Sequence, residues 1–183
     1  IKNFISFHII KYMKKFLLSI AIYLTFILNS LSHVGHYAKY DYLEYELFRN
    51  NQSIGYHKYI FNRDGKNLSI ESEVSLKITK IGVDLYRYIA KSEENYKNGI
   101  FKSYSSKTKQ NKKDRYVNIK LDPNKDKLDI DGSSFKGEAD KSFIVGTWWN
   151  HEIIKAKAQI SGISGRIIAQ TVTFVGKEEI KIG

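Results

Sequence analysis

The sequence predicts an all-β, mainly antiparallel protein, and two patterns along the chain carry that prediction. From Tyr40 onward, apolar residues alternate with polar ones at a period of two, which puts successive side chains on opposite faces of a pleated sheet. Short polar segments containing Asn-Gly, Asp-Gly or Pro interrupt these runs and favour hairpin turns. The order of runs and turns therefore predicts one large meander sheet, which strand twist is expected to curve into a half-barrel or an open sandwich.

The segment Ser69–Thr108 has the clearest pattern and is predicted to form the centre of the sheet as three consecutive strands. Val74 and Leu76 fall on one face of its first strand, with polar neighbours on the other face. Asn98-Gly99 predicts the last turn of the segment, because these residues tolerate the positive φ angles of a type I′ hairpin. A helix is excluded here, since the apolar residues repeat every two positions and β-branched or aromatic residues dominate.

Shorter strands are predicted on both sides of this centre. Two precede it and the others follow it: Asp41–Phe48, Ile54–Phe61, Tyr116–Leu121, Leu128–Asp131, Ser134–Gly137, Ala158–Ile163, Arg166–Val175 and Glu178–Ile182. Lys109–Lys113 is predicted to be a solvent-exposed basic loop, and Asp122–Lys125 a turn with Pro at its second position. Because the alternation is still running at Gly183, we expect residues 33–183 to form one domain that is truncated at its C-terminus.

One segment, Asp140–Lys157, breaks the period of two. Its large apolar residues recur at helical or irregular spacing: Ile144, Val145, Trp148, Trp149, Ile153 and Ile154. This spacing predicts one short helix or a buried loop near Phe143–Ile154 that plugs one end of the sheet.

The N-terminal segment has the three parts of a secretory signal peptide. Met13-Lys14-Lys15 is a basic start, Phe16–Leu28 is an apolar run, and Ser30-Leu31-Ser32 supplies the small residues of a cleavage site. We therefore predict a helical signal peptide at residues 13–32 and translated upstream sequence at residues 1–12. The protein is then expected to be periplasmic or secreted and to touch the membrane only through this segment. The alternative is an uncleaved anchor, although the apolar run is shorter than the roughly 20 residues that span a bilayer.

The chain is strongly basic and contains no cysteine. A formal net charge of +11 favours an anionic partner such as nucleic acid, lipid or an acidic polymer. The lysines are spread over every predicted strand and turn, however, and a signal peptide argues against nucleic acid, so we predict no nucleic-acid binding. The absence of Cys excludes disulfide bonds and a lipid-modified Cys at the mature N-terminus.

A series of short motifs runs in order through the chain. The motifs are Tyr45–Arg49, Ile54–His57, Tyr86–Tyr88, Glu93–Gly99, Ser106–Thr108, Arg115–Val117, Trp149-Asn150 and Gly165-Arg166. Their order and spacing resemble a family of secreted bacterial proteins known as domain of unknown function 6134. The resemblance covers Tyr45 to about Ile180 and implies a β-rich envelope protein with a further strand pair at the C-terminus. It implies no reaction, so no catalytic residue is carried over from it.

The sequence shows no recognisable catalytic set, and we predict a non-enzymatic protein without a cofactor or metal. His151-Glu152 begins the zinc-binding pattern H-E-x-x-H, but Lys155 replaces the second His. There is no Gly-rich phosphate loop, no G-x-S-x-G elbow and no Cys nucleophile. The adjacent carboxylates Glu93-Glu94 point to opposite faces of a strand, where we expect them to balance Lys91 and Lys97.

Two histidines near the predicted cleavage site are candidate metal ligands. Cleavage after Ser32 makes His33 the N-terminal residue, so that its amine and ring, with His36 or His57, form a candidate copper site. The alternative is an unstructured terminus in which His33 and His36 bind nothing.

Aromatic residues are the candidate ligand-binding groups. Trp148 and Trp149 have surfaces suited to stacking on a lipid or a sugar, and Tyr86 and Tyr88 are candidates on the central strands. The alternatives are a core plug for the tryptophans and cross-strand pairs for the tyrosines.

The lead hypothesis for function is an envelope protein that holds a lipid-like or other hydrophobic ligand in the concave face of the sheet. A protein that docks onto an envelope partner through strand addition at a sheet edge is the second hypothesis. An unassigned enzyme is the third.

Overall fold

The computed structural model describes residue 37 and residues 39–177, all of which belong to one unit, Val34–Gly183. These residues form one large sheet, one small sheet and a short 3-10 helix. The large sheet contains eight strands: β1 (Tyr42–Arg49), β2 (Gln52–Asp64), β3 (Asn67–Lys80), β4 (Val83–Lys97), β5 (Ile100–Gln110), β6 (Lys113–Asp122), β7 (Lys127–Gly132) and β8 (Lys136–Asp140). The prediction of an all-β, mainly antiparallel fold is confirmed.

The large sheet is a meander whose spatial order, β1 to β8, is the order of the chain. Every neighbouring pair is antiparallel, and the sheet does not close on itself. The three strands expected within Ser69–Thr108 are β3, β4 and β5, which occupy the centre. Lys109–Lys113 is not an extended loop, because β5 and β6 continue through most of it and leave only a two-residue connection.

Three of the hairpins have two-residue turns with positive φ at both positions. These turns are Asn50-Asn51 (50° and 61°), Ile81-Gly82 (53° and 74°) and Asn98-Gly99 (53° and 73°). Positive φ at both central residues is the type I′ geometry, whose twist matches that of the flanking strands. The prediction for Asn98-Gly99 is confirmed, and the same geometry forms at Ile81 although it is a β-branched residue.

Each of these hairpins contains a one-residue shift of register close to its turn. The shifts lie between Leu47 and Phe48, between Ile78 and Thr79, and between Asn95 and Tyr96. Such β-bulges increase the local twist and bend the strand. In the first hairpin the backbone at Gly55 also passes so close to β3 that a Cβ atom would lie 1.9 Å from the Ser75 carbonyl oxygen.

The segment after β8 forms a cap, defined here as residues 141–169. It contains β9 (Ile144–Val145), β10 (Ala158–Ile160) and β11 (Ile167–Ala169), with β10 parallel to β9 and antiparallel to β11. A 3-10 helix, His151–Ile154, confirms the expected short helix near Phe143–Ile154. The strands predicted at Ala158–Ile163 and Arg166–Val175 are much shorter than expected, because only three residues of each pair with a neighbour.

The cap packs on one face of the large sheet, which we call the inner face, and two apolar clusters form there. The first joins β5–β8 to the cap through Val117 and Ile119 of β6 and Val145 and Ile160 of the cap. The second joins β2–β4 to the cap through Trp149. The architecture is therefore an open sandwich in which the small sheet covers part of the inner face.

Several predictions fall on residues outside the described part of the chain. These are the upstream segment 1–12, the signal peptide 13–32, the copper ligands His33 and His36, and the strand Glu178–Ile182. Within residues 37 and 39–177, no helix has the length and apolar character needed to cross a membrane.

Candidate functional site: a cleft on the inner face

A cleft of about 800 Å³ opens on the inner face beside the cap. We call it the inner cleft, and it is lined by β1–β5 together with residues 146–149 and 162–163 of the cap. Its floor contains a row of three serines, Ser72, Ser92 and Ser106, which pair with one another across β3, β4 and β5. The next row contains Val74, Ala90 and Thr108, which are also small.

The cleft exists because side chains of different size occupy the two ends of the inner face. Next to the serine row, toward the cap, the same strands carry Ile70, Glu94 and Tyr104, and the cap packs against them. The small residues of β3 and β4 leave the sheet surface partly exposed at the other end, since their side chains are too short to fill the space. This difference in side-chain volume positions a hollow between the cap and the aromatic residues of β1 and β4.

The four residues predicted to contact a ligand, Trp148, Trp149, Tyr86 and Tyr88, all line this cleft. Trp148 is 88 % exposed at the cap side, whereas Trp149 is 5 % exposed and packs in the core. The Tyr86 hydroxyl accepts a hydrogen bond from Gln110 Nε2 at 3.0 Å. Trp149 is therefore mainly a core plug, and Trp148 is the tryptophan whose surface is available. Ligand contact by these residues stays a prediction.

Glu94 is buried behind the cleft and links β4 to the cap. Its carboxylate accepts hydrogen bonds from Tyr96 Oη at 2.5 Å, Trp149 Nε1 at 2.8 Å and Thr147 Oγ1 at 3.3 Å. Burial raises the pKa of Glu94 to about 6, although these three donors favour its ionised form.

The expectation that Glu93-Glu94 balance Lys91 and Lys97 is wrong. Glu94 faces the interior and bonds to uncharged donors, and Lys91 pairs instead with Glu73 at 3.2 Å. The two glutamates do point to opposite faces, as the period of two requires.

His57 is a neutral group in the cleft lining. Burial lowers its pKa to about 4, and Nε2 lies 2.9 Å from Ser72 Oγ. A histidine and a serine at this distance have the geometry of a base and its nucleophile. A base with a pKa of about 4 is poorly matched to removing a serine proton at neutral pH, so the pair is better suited to hydrogen bonding than to catalysis.

Two hydroxyl groups of the cleft lining have no hydrogen-bonding partner among the residues that the structure describes. They belong to Tyr59 on β2 and Thr108 on β5, which are 2 % and 3 % exposed. Tyr59 Oη lies near the backbone of Trp148, and Thr108 near Tyr88, but neither contact has normal hydrogen-bond geometry. A buried polar group without a partner costs about 1–3 kcal/mol, so these positions call for an explanation.

No cation is found among the described residues of the cleft lining. The chain has 30 Lys and Arg residues, yet none is among the described residues that line the cleft. Among the lining residues that the structure describes, exposed Glu46 is the only charged one, since His57 is neutral. The basic character of the chain therefore stops at the edge of the inner cleft.

Sequence patterns alone did not identify the serine row, His57, Thr108 or Glu94 as members of one site. The period of two places each of them on a strand face, but only the register of β2–β5 brings them together. In the described part of the chain, no cluster of His, Cys, Asp and Glu is suited to holding a metal ion.

The fold and cleft define the class of this protein as an all-β sandwich with an open eight-stranded meander and a ligand-sized hollow on its inner face. A family model described as a domain of unknown function, DUF6134, matches residues 45–183. The chain therefore belongs to the DUF6134 family, and the resemblance noted in the sequence is confirmed. No curated protein and no solved structure matches the chain.

Proposed function

We propose that the protein binds a lipid-like or other hydrophobic small molecule in the inner cleft and does no chemistry on it. The observation that carries this proposal is a cleft of about 800 Å³. Its floor is lined by small side chains, and its walls are mainly aromatic and aliphatic. Ligand pockets are typically about 300–1,000 Å³, largely apolar, and supplied with a few polar groups. Trp148, exposed beside the opening, adds an aromatic surface for an apolar ligand.

We further propose that binding takes place in the periplasm or outside the cell. The support for this location is the signal-peptide pattern of residues 13–32. Fractionation of cells that express the full chain, followed by mass spectrometry of the product, tests it. A cytoplasmic product that keeps residues 13–32 would contradict this location without affecting the binding proposal.

Binding is tested with diphenylhexatriene, a hydrocarbon dye that fluoresces when it leaves water. We expect saturable binding to the unmodified protein. Ala90→Phe places a ring on the cleft floor and should weaken binding by at least about tenfold, which corresponds to about 1.4 kcal/mol. Ile89→Phe is the matched control, because Ile89 is adjacent to Ala90 on β4 and its side chain faces the opposite side of the sheet.

Trp148→Ala is a second test variant, because an exposed side chain is removed without disturbing the core. It should also weaken dye binding, while its circular dichroism and melting temperature stay those of the unmodified protein. The proposal is wrong if the unmodified protein shows no saturable binding, or if folded Ala90→Phe and Trp148→Ala both bind the dye as well as the Ile89→Phe control.

The second candidate function is docking of an envelope protein on the free edge of β1. The support is that β1 ends the strand order of the described sheet, with Phe48 and Tyr42 exposed along it. An extended segment of a partner gains main-chain hydrogen bonds at such an edge. The inner cleft is the better supported binding site, because it is a shaped cavity that contains hydroxyl groups without hydrogen bonds to described residues.

A further inference from the structure

We propose that the inner cleft selects an uncharged amphiphile over an anionic or cationic one, and that the hydroxyls of Tyr59 and Thr108 bind its polar groups. The inference rests on the proposed function and specifies its ligand class. A long-chain alcohol, or another neutral lipid with a hydroxyl or carbonyl group, has this chemistry.

The first argument is the absence of a counter-ion. A carboxylate or phosphate that enters a mainly apolar cleft loses its hydration and needs a Lys or Arg in return. No Lys or Arg is found among the described residues of the lining, and His57 is held neutral by burial. The buried carboxyl of Glu94, behind Thr147 and Trp149, adds repulsion when it is ionised. An anionic ligand is therefore disfavoured.

A cationic ligand is also poorly matched. The one carboxylate in the described lining, Glu46, is exposed, so it is screened by water and salt. Glu94 is already committed to three donors and is separated from the cleft by the side chains that it binds. Neither carboxylate offers a desolvated cation a direct partner.

The second argument is the pair of uncommitted hydroxyls. Tyr59 and Thr108 are nearly completely buried, line the cleft and have no hydrogen bond to any described residue. A hydroxyl or carbonyl group of a ligand satisfies them without bringing in a charge. Two of the three floor serines are already occupied, since Ser72 bonds to His57 and Ser106 donates to the Gly162 carbonyl at 2.6 Å. Tyr59 on β2 is in line with the serine row, next to Ser72, whereas Thr108 on β5 lies in the neighbouring row, so the two hydroxyls provide two separate polar contacts.

The experiment is competition against bound diphenylhexatriene at about pH 7.5, where the Glu94 carboxyl is ionised. Dodecan-1-ol, dodecanoate and dodecyltrimethylammonium have the same chain and differ in charge. We expect dodecan-1-ol to displace the dye at a concentration at least about tenfold lower than either ion. Tyr59→Phe and Thr108→Val delete the hydroxyls with little change of shape. Because dodecan-1-ol has one hydroxyl group, at least one of the two variants should weaken its binding by about threefold or more beyond any change in dye affinity.

A charge-addition pair checks the first argument independently. Leu47→Lys places a cation in the cleft lining and should improve dodecanoate binding, whereas Phe48→Lys, whose ring is exposed outside the cleft lining, should not. Equal displacement by the alcohol and an ion, or full dodecan-1-ol affinity in both hydroxyl variants, would overturn the inference while leaving hydrophobic binding intact. Failure of the dye itself to bind would overturn the proposed function and the inference with it.

Discussion

Ile81 stands in the least favourable backbone conformation of the hairpin turns. It has a φ of 53° and is 92 % exposed, so its branched side chain contributes almost no burial in return. An L-residue with a Cβ branch in the left-handed region clashes with the following peptide, at a cost of about 1–2 kcal/mol. The other two turns of this type carry Asn at the equivalent first position, which tolerates that region.

Ile81→Asn is therefore expected to stabilise the protein by about 1 kcal/mol, because Asn relieves the strain and nothing buried is lost. Urea unfolding of the two proteins measures the difference. Ile100→Asn is the control, since Ile100 is also exposed near a hairpin turn but has a negative φ, and it should give no gain. A loss of stability in Ile81→Asn would show that Ile81 has contacts worth more than the strain.

At the scale of the elements, the contact between β4 and the cap depends on a buried carboxyl. Glu94 receives three hydrogen bonds, two of them from cap residues, so the cap is oriented on the sheet by directional bonds as well as by apolar packing. Its pKa of about 6, against an ordinary value of 4.5, means that the folded state binds the proton more tightly than the unfolded chain. As the pH rises from below 4.5 to above 6, the contribution of Glu94 to the free energy of unfolding therefore falls by about 2 kcal/mol.

His57 has the opposite dependence, because burial lowers its pKa from 6.5 to about 4. The unfolded chain binds a proton at His57 more tightly than the folded protein does. The contribution of His57 to the free energy of unfolding is therefore fully present above pH 6.5 and is lost as the pH falls toward 4. The contributions of Glu94 and His57 to stability change in opposite directions over overlapping pH ranges. The stability of the unmodified protein as a function of pH therefore shows only their sum.

Comparison with Glu94→Gln separates the two groups. The stability of this variant minus that of the unmodified protein should rise by about 2 kcal/mol between pH 4 and 7, because the His57 contribution is common to both. Urea unfolding across this pH range measures it. Glu93→Gln, the same change on the exposed neighbour, is the matched control. A flat profile for Glu94→Gln would mean that Glu94 is not buried as described.

At the scale of the whole molecule, stability is distributed unevenly over the meander. The most deeply buried residues of the large sheet, among them Ile70, Val117 and Ile119, lie on β3 and β6, inside the strand order. The edge strand β1 has mostly exposed residues, and β11 pairs over three residues only. Local opening is easier where few apolar contacts and few neighbouring strands hold the backbone.

Amide hydrogen exchange should reflect this gradient. We expect the slowest exchange in β4–β6, whose backbone pairs on both sides, and the fastest in β1, β11 and residues 171–177. Mass spectrometry of peptides after timed labelling measures the order. Exchange in β1 as slow as in β6 would contradict it, and would indicate that another segment covers the β1 edge.

The strands and turns were largely predictable because both depend on local sequence. Alternation at Val74 and Leu76 and the Asn98-Gly99 turn need only neighbouring residues to be recognised. The lengths of β10 and β11 were overestimated. A β-forming sequence becomes a strand only where a partner strand pairs with it, and in the cap each of these strands has a partner over three residues only.

The cleft was predictable only in part. All four aromatic candidates line it, but the serine row and Glu94 depend on a register that local patterns do not specify. Counting back from the Asn98-Gly99 turn without a bulge pairs Ser92 with Ser105. The shift between Asn95 and Tyr96 pairs it with Ser106 instead, on the inner face.

The sequence by itself determined that this chain forms antiparallel strands in a meander, because a period of two and turn-forming residues act over a few positions. It also showed membership of the DUF6134 family, through the order of its motifs. Only the tertiary structure decided where the inner face is hollow, which hydroxyls are left without partners and that no described cation lines the cleft. Those properties arise when bulges set the register and the cap covers one end of the sheet, so they belong to contacts between residues far apart in the chain.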